Sequence, residues 1–466
     1  MDLTTSAGAR PAVATTSDVR THIGVCDVDI TPPAGVRHRN WPASGETATE
    51  VHRSMRLVAM AVGAPDDDAQ VLITLDGTWW RRAADEWALR SRVLDALGLP
   101  EANVVIALSH THAGPVLASN VTDLPGGAES RAYLDLLAER AVAAAASAVA
   151  SRVPAVLQWS LGRCSLAVER DLGHAGRAVV GFNPDVDADD AVLVGRATSD
   201  AGHVLATVVN YACHPTTLAW QNDHVSPDYV GSMRDMVEAA TRAPCLFLQG
   251  ASGELSPRDQ YTGELAVADR NGEVLGHAVL STLVNMPPAG TALTLDGIVE
   301  SGAPLAIWSS RPTTVPRDVT ATVQRVEMDV RPLTTLDELS REWPEVDGAV
   351  LEERLRRATD LREGYVTGPV VDHPVWVWRL GDAVLVAHPG EAYSLLQTEL
   401  RRRFPDHHVV VSNLANGPGF VYLPTPKAYG MGTYQSWQTV LAEGSLERLI
   451  DRSTEVIRDL LQGPSA

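Results

Sequence analysis

Cysteine is scarce in this chain: four residues in 466, far apart at Cys26, Cys164, Cys213 and Cys245, with no C-x-x-C pair. That count is too low for a disulfide scaffold and points to buried free thiols in a reducing compartment. Long apolar runs are missing as well. No stretch of about 18 consecutive apolar residues occurs, and the first twenty residues lack the apolar core of a secretion signal. The expectation is a soluble cytoplasmic protein without stable membrane association. Basic runs are also missing: 38 Lys+Arg against 58 Asp+Glu leave a formal charge of -20, so nucleic acid and anionic membranes would be repelled. There is no internal repeat, and the one low-complexity stretch is the N-terminal tail, residues 1–20, expected to be disordered. What is present is a hydrophobic content of 45%, enough for a sizeable core. Residues 21–466 therefore read as one large domain, with the Pro-rich, mixed segment 300–370 as an insertion or lid.

The apolar residues fall into strands whose ends carry polar chemistry. Val104-Val105-Ile106-Ala107-Leu108 reads as a buried strand, and Ser109-His110-Thr111-His112-Ala113-Gly114-Pro115 as its C-terminal mouth. Residues two apart on an extended chain point the same way, so His110 and His112 can present both imidazoles to one cavity. Upstream, a strand at 71–75 and a helix at 79–97 complete a β-α-β unit with parallel strands. That unit puts Asp76 at the same sheet edge, either supporting the histidines or simply turning the chain with Gly77. The layout recurs at Val208-Val209-Asn210-Tyr211-Ala212-Cys213-His214-Pro215, with a histidine at the mouth and a proline to break the strand. Glu391 follows a strand at 383–388 and falls at the start of an amphipathic helix, where a carboxylate caps the helix or serves as a metal ligand. The loop Gly253-Glu254-Leu255-Ser256-Pro257-Arg258 is not G-x-S-x-G, so no α/β-hydrolase elbow is indicated. Alternating strands and helices give the fold class: α/β, a large single-domain sandwich of mixed β-sheets flanked by helices, with the active site at strand C-terminal ends.

In order along the chain these motifs resemble the neutral/alkaline, non-lysosomal ceramidase family, specifically its catalytic domain. The resemblance rests on Asp29-Ile30-Thr31-Pro32-Pro33, the Ser109 to Pro115 motif, Tyr211-Ala212-Cys213-His214, the Gly253 to Arg258 loop, Pro389-Gly390-Glu391, and the closing tyrosines. In the last of these, Tyr422-Leu423-Pro424-Thr425 precedes Tyr434 with the family's spacing. The resemblance implies a single zinc held by His110, His214, Glu391 and Tyr422, with His112 as proton shuttle. It implies Arg170 and Tyr434 as groups that hold the substrate carbonyl and its tetrahedral successor, and Ser256 as a further substrate contact. Imidazoles and a carboxylate suit zinc, which makes water acidic enough to attack a carbonyl at neutral pH. The family's G-D-x-S-P-N loop is Gly-Glu-Leu-Ser-Pro-Arg here, and neither the immunoglobulin-like C-terminal domain nor a secretion signal is seen, so a small soluble amide is expected in place of a membrane sphingolipid. Trp79-Trp80, Trp220, Trp308 and Trp376-Val377-Trp378 would line an apolar pocket or pack in the core. The primary reading is a zinc-dependent amidohydrolase whose partners are a small-molecule amide substrate and a second copy of itself in a homo-oligomer. The same site would serve an esterase or lactonase, a metal-free serine hydrolase would use Ser256 with a nearby histidine, and a non-catalytic binding protein is the remaining alternative.

Overall fold

The structure, a computed structural model, describes residues 16–342, 346–419 and 421–462. Its centre is two stacked sheets. The larger has eight strands, β1 (Ser17–Asp29), β2 (Arg56–Val62), β3 (Gln70–Leu75), β4 (Val104–Leu108), β5 (Val153–Arg163), β6 (Ala191–Ser199), β7 (Val204–Tyr211) and β8 (Cys245–Gln249), in the order β8-β7-β6-β5-β1-β2-β3-β4. The smaller has β9 (Val319–Asp329), β10 (Val370–Leu380), β11 (Ala383–Ala387) and β12 (His408–Ser412), adjacent in that order. The pairs β3–β4, β7–β8 and β11–β12 are parallel and all other neighbours antiparallel. Parallel strands need a crossover, and each pair has its helix: α1 (Ala83–Leu97) for the first; then, after α2 (Gly127–Ala150), α3 (Tyr229–Thr241) for the second. Further helices are α4 (Leu265–Asn285), α5 (Gly348–Tyr365), α6 (Leu395–Arg403), which joins β11 to β12, and α7 (Ser445–Gln462).

The period of two along each strand decides the layers. On β2, Val58, Met60 and Val62 face one core and Leu57, Ala59 and Ala61 the other. The first set meets Trp376, Trp378 and Leu380 of β10 and Leu385 of β11, so the two sheets pack directly on each other. The outer face of the large sheet is covered at one end by α1 and α2, and at the other by α3 and α4. The small sheet is covered by α6 and α7; on α7 Leu446, Leu449, Ile450, Ser453, Val456 and Ile457 are buried, the spacing of one helical face. The result is a four-layer α/β/β/α sandwich.

Counting antiparallel steps, β4 and β7 run oppositely within the large sheet. Six inter-strand steps at about 20–25° of twist each turn the sheet through roughly 120–150°, which accounts for their C-terminal ends reaching a common site. The exposed edge of β4 is then sealed. Leu108 N donates to Leu414 O (3.2 Å), Asn416 N to Ile106 O (3.0 Å), and the Asn416 side chain accepts from Ile106 N (2.8 Å) and donates to Val104 O (2.7 Å). Asn413 N reaches Gln249 O at the end of β8 (2.9 Å), so one loop ties the two edges of the sheet together.

Several boundaries differ from the sequence expectation. Ser17–Arg20, placed in the tail, belong to β1, paired with β5; residues 1–15 lie outside the described residues. The helix expected from residue 79 starts at Ala83 and ends at Gly98, whose φ of 64° suits glycine, so Trp79 and Trp80 fall in the preceding loop. Segment 300–370 is no single insertion: it supplies part of the hairpin Thr291–Glu300/Pro304–Pro312, then β9, then α5. That hairpin stands away from the core with Ile298 66% and Val299 53% exposed. All four cysteines are free thiols, three of them buried. Among the described residues no helix is long and apolar enough to cross a membrane.

Candidate active site

Beyond β4 the chain turns at His110 with φ 69°, a left-handed conformation that costs a non-glycine residue energy and tends to be kept where function requires it. The turn sends the imidazole inward, where Nδ1 meets Thr78 O at 2.7 Å. His214, three residues beyond β7, meets Leu255 O through Nδ1 at 3.0 Å. A carbonyl can only accept, so in both rings Nδ1 carries a proton and Nε2 is the atom turned to the third element of the site. Burial first, and then the Arg170 guanidinium, push His214 down to about 3, so this ring is neutral at pH 7.

Glu391 arrives on a third element. The two-residue strand Glu391–Ala392 pairs in parallel with Tyr422–Leu423, and Glu391 N donates to Val421 O (2.8 Å). Its Oε2 lies 3.2 Å from His110 Nε2 and 2.8 Å from His214 Nε2, and the Tyr422 hydroxyl is hydrogen-bonded to the same carboxylate. Glu391 is therefore not the helix cap. Glu254 takes that place, accepting from Ser394 N (2.9 Å) and Ser394 Oγ (2.5 Å) just before α6. The ligand atoms of His110, His214 and Glu391 lie within 4.8 Å of one another, and all three residues are buried. Two ring nitrogens and a carboxylate oxygen thus converge on one point, where a cation or a shared proton would hold them together. The donor set, two imidazoles and a carboxylate with a phenol beside them, is one that zinc accepts.

The groups expected around the centre are gathered at it. The His112 ring lies 4.9 Å from that of His110, and its two nitrogens have no hydrogen-bond partner among the described residues. Burial first, with His110 and His214 adding to it, holds its pKa well below the usual histidine range. Arg170 is buried, donates to Gly253 O through Nη2 (2.6 Å) and Nε (3.2 Å), and places Nη2 3.2 Å from His214 Nε2. Gly253 must be glycine, because a Cβ there would come within 2.7 Å of the Tyr393 ring and 3.0 Å of Glu391 O. The Tyr434 ring stands 5.8 Å from that of Tyr422, edge to face. A cavity of about 350 Å³ opens over this floor, bounded by His112, Arg170, Glu391, Tyr422 and Tyr434 below and by Trp41, Trp79, Trp220, Tyr261 and Trp437 around it.

Other expectations fall elsewhere. Ser256 does not line the cavity; it is fully buried and takes a hydrogen bond from Gln260 Nε2 (2.8 Å). Its loop is structural: Glu254 caps α6, and the Arg258 guanidinium lies over Phe182. Asp76 forms a two-point ion pair with Arg234 (2.8 and 2.9 Å). Of the tryptophans, Trp79 and Trp220 line the cavity, Trp80, Trp376 and Trp378 are core, and Trp308 is on the exposed hairpin. Sequence reasoning missed Trp41, Tyr261, Trp437 and two arginines of α5, Arg354 and Arg357, which also line the cavity. Trp437 was accessible in principle, since it lies one helical turn after Tyr434.

No protein-family model matches the sequence, and no curated protein does. Among solved structures the chain is similar to the neutral ceramidase from Pseudomonas aeruginosa, with 16% identity and a TM-score of 0.70, covering 96% of this chain and 76% of that one. It is also similar to a ceramidase complexed with C2, with 16% identity and a TM-score of 0.66, covering 93% of this chain and 74% of that one. At this identity the likeness is one of fold: the chain has the fold of a ceramidase domain.

Proposed function

We propose that this chain is a zinc-dependent amidohydrolase that cleaves a linear amide bond in a small soluble N-acyl substrate. The observation that carries the reading is the convergence of His110 Nε2, His214 Nε2 and Glu391 Oε2 at the floor of an aromatic-walled cavity. The ceramidase fold supports it, since the solved structures that share it include enzymes named for cleaving an amide. One zinc per chain, held by His110, His214, Glu391 and Tyr422, would polarise the scissile carbonyl and lower the pKa of a water toward about 7.

The remaining chemistry belongs to the chain. Tyr434 and Arg170 present O–H and N–H donors at the cavity floor, where they would hold the carbonyl oxygen as it gains negative charge. Neutral His112, with both ring nitrogens unpartnered among the described residues, would accept a proton from the attacking water and return it to the leaving amine. The tryptophan walls would lower the local dielectric once a substrate fills the cavity, which would strengthen each of these contacts. An ester or lactone would meet the same groups. The metal-free serine reading has no geometric support, because Ser256 is buried away from the cavity. Free buried thiols fit the cytoplasm as the place of action.

Metal content of tag-free protein, measured beside the His214→Ala variant, tests the reading. We expect about one zinc per wild-type chain, none in the variant, and amide hydrolysis lost together with the metal. Hydrolysis that persists without metal would sink it.

A further inference from the structure

The cavity carries charge opposite to that of the chain. The protein as a whole has a formal charge of -20. Yet the side chains lining the cavity include three guanidiniums, Arg170, Arg354 and Arg357, against one carboxylate, Glu391, which the two histidines engage. Arg354 and Arg357 are three residues apart on α5 and so share a face, where like charges repel. The acidic residue beside them, Glu353, is bonded to Arg81 (2.6 Å) as well as Arg357 (3.1 Å). Asp360 is a second carboxylate near Arg81, and Arg354 lines the cavity beside Arg357, whose like charge repels its own. Aromatic faces hold both heads at the wall: Arg357 lies over Trp79 (5.1 Å to the ring centroid) and Arg354 over Trp437 (5.8 Å). A separate part of the lining is apolar, with Trp41, Trp220 and Tyr261 in mutual ring contact at 5.8 to 6.3 Å.

We infer that the cavity selects an amide that also bears a carboxylate, bound by Arg354 and Arg357, with its apolar group against Trp41, Trp220 and Tyr261. This rests on the amidohydrolase reading. A carboxylate relieves the repulsion between the two guanidiniums and makes charge-assisted hydrogen bonds in a site where low dielectric strengthens them. A neutral lipid amide gains nothing from these groups. A cavity of about 350 Å³ also fits a small acid better than a long acyl chain.

Two matched pairs test the inference on the whole, metal-replete protein. The first is N-acetyl-L-phenylalanine against N-acetylphenethylamine, which lacks only the carboxylate on the amine part. The second is N-benzylsuccinamic acid against N-benzylbutanamide, in which a methyl group replaces the carboxylate on the acyl part. Initial rates give kcat/KM and calorimetry gives Kd. We expect the charged member of one pair to be preferred by about tenfold or more, the scale of a charge-assisted hydrogen bond, and the pair that responds locates the anion. Arg354→Gln, at the less buried of the two arginines, should bring that ratio close to one. Binding of the charged member without turnover would defeat the hydrolase reading and still support this one. Equal or better binding of the neutral member in both pairs, or a preference unchanged in folded Arg354→Gln, overturns the inference.

Discussion

Glu353→Gln is the substitution whose cost can be worked most directly. Glu353 is 2% exposed and lies between Arg81 and Arg357. Burial alone would raise its pKa, but the two guanidiniums outweigh burial and bring the carboxyl from 4.5 down to about 2. At about 1.4 kcal/mol per pH unit the difference is worth roughly 3 kcal/mol, in line with the 3–5 kcal/mol typical of breaking a buried ion pair. The folded-state pKa is depressed, so this stability is fully present above the unfolded-state value near 4.5 and is lost as pH falls toward 2. Urea unfolding at pH 7 should therefore show Glu353→Gln less stable by about 3 kcal/mol, with an unchanged dependence on denaturant. The gap between the two proteins should narrow as the pH is lowered below about 4.5. A loss under about 1 kcal/mol at pH 7, or a gap that widens in acid, would refute the reasoning.

Three more substitutions separate roles in and around the site. His112→Ala should lower kcat by about 10²–10⁴-fold while zinc content stays at the wild-type level; loss of the metal would instead make His112 a ligand. Gly253→Ala forces a Cβ against the Tyr393 ring and Glu391 O, so thermal unfolding should register about 1–3 kcal/mol of destabilisation together with weaker metal retention. Unchanged stability and metal retention would show that the strand carrying Glu391 can yield. Ser256→Ala removes only the hydrogen bond to Gln260, with an expected cost of about 1 kcal/mol and retained hydrolysis. An inactive but folded, zinc-loaded Ser256→Ala protein would restore Ser256 as a catalytic group.

The fold was legible where one periodicity dominated. β3, α1 and β4 follow from an apolar run, a Gly98 stop and a second run, and the hairpin of Ala191 to Ala197 and His203 to Tyr211 from two strand-like runs split by the polar turn Ser199-Asp200-Ala201-Gly202. The three donors were legible because each stands just past a strand, where the change from apolar to polar residues is abrupt. What supports them was not. Asn413 and Asn416 look like ordinary loop residues, yet they close the β4 edge and tie it to β8, a role defined wholly by chain segments distant in sequence. Arg354 and Arg357 sit in a helix rich in Glu and Arg that reads as a solvated face; only packing against the loop at Asn40 and Trp79 turns that face inward. Glu391 was misplaced at a helix start because a two-residue strand leaves no periodic trace, and the pairing with Tyr422 that creates it is itself non-local.

The same non-locality sets how the centre must behave. Glu391 lies 281 residues from His110 and 177 from His214 along the chain, so no partly formed sheet can bring the donors together. An unfolded chain offers at most scattered single ligands, whereas the folded chain offers all of them with tautomers already fixed by Thr78 O and Leu255 O. Affinity for a metal held by these donors would then be coupled to completion of both sheets, and free energy gained on binding would appear as resistance to unfolding. The buried hydrogen-bond chain from Tyr365 through His373 and His388 to Asn413 (2.8, 3.1 and 2.8 Å) extends that coupling into the small sheet, because His388 immediately precedes the Pro389-Gly390 turn that delivers Glu391. The three donors thus meet where elements of both sheets come together, so the fold and the proposed chemistry depend on the same closure.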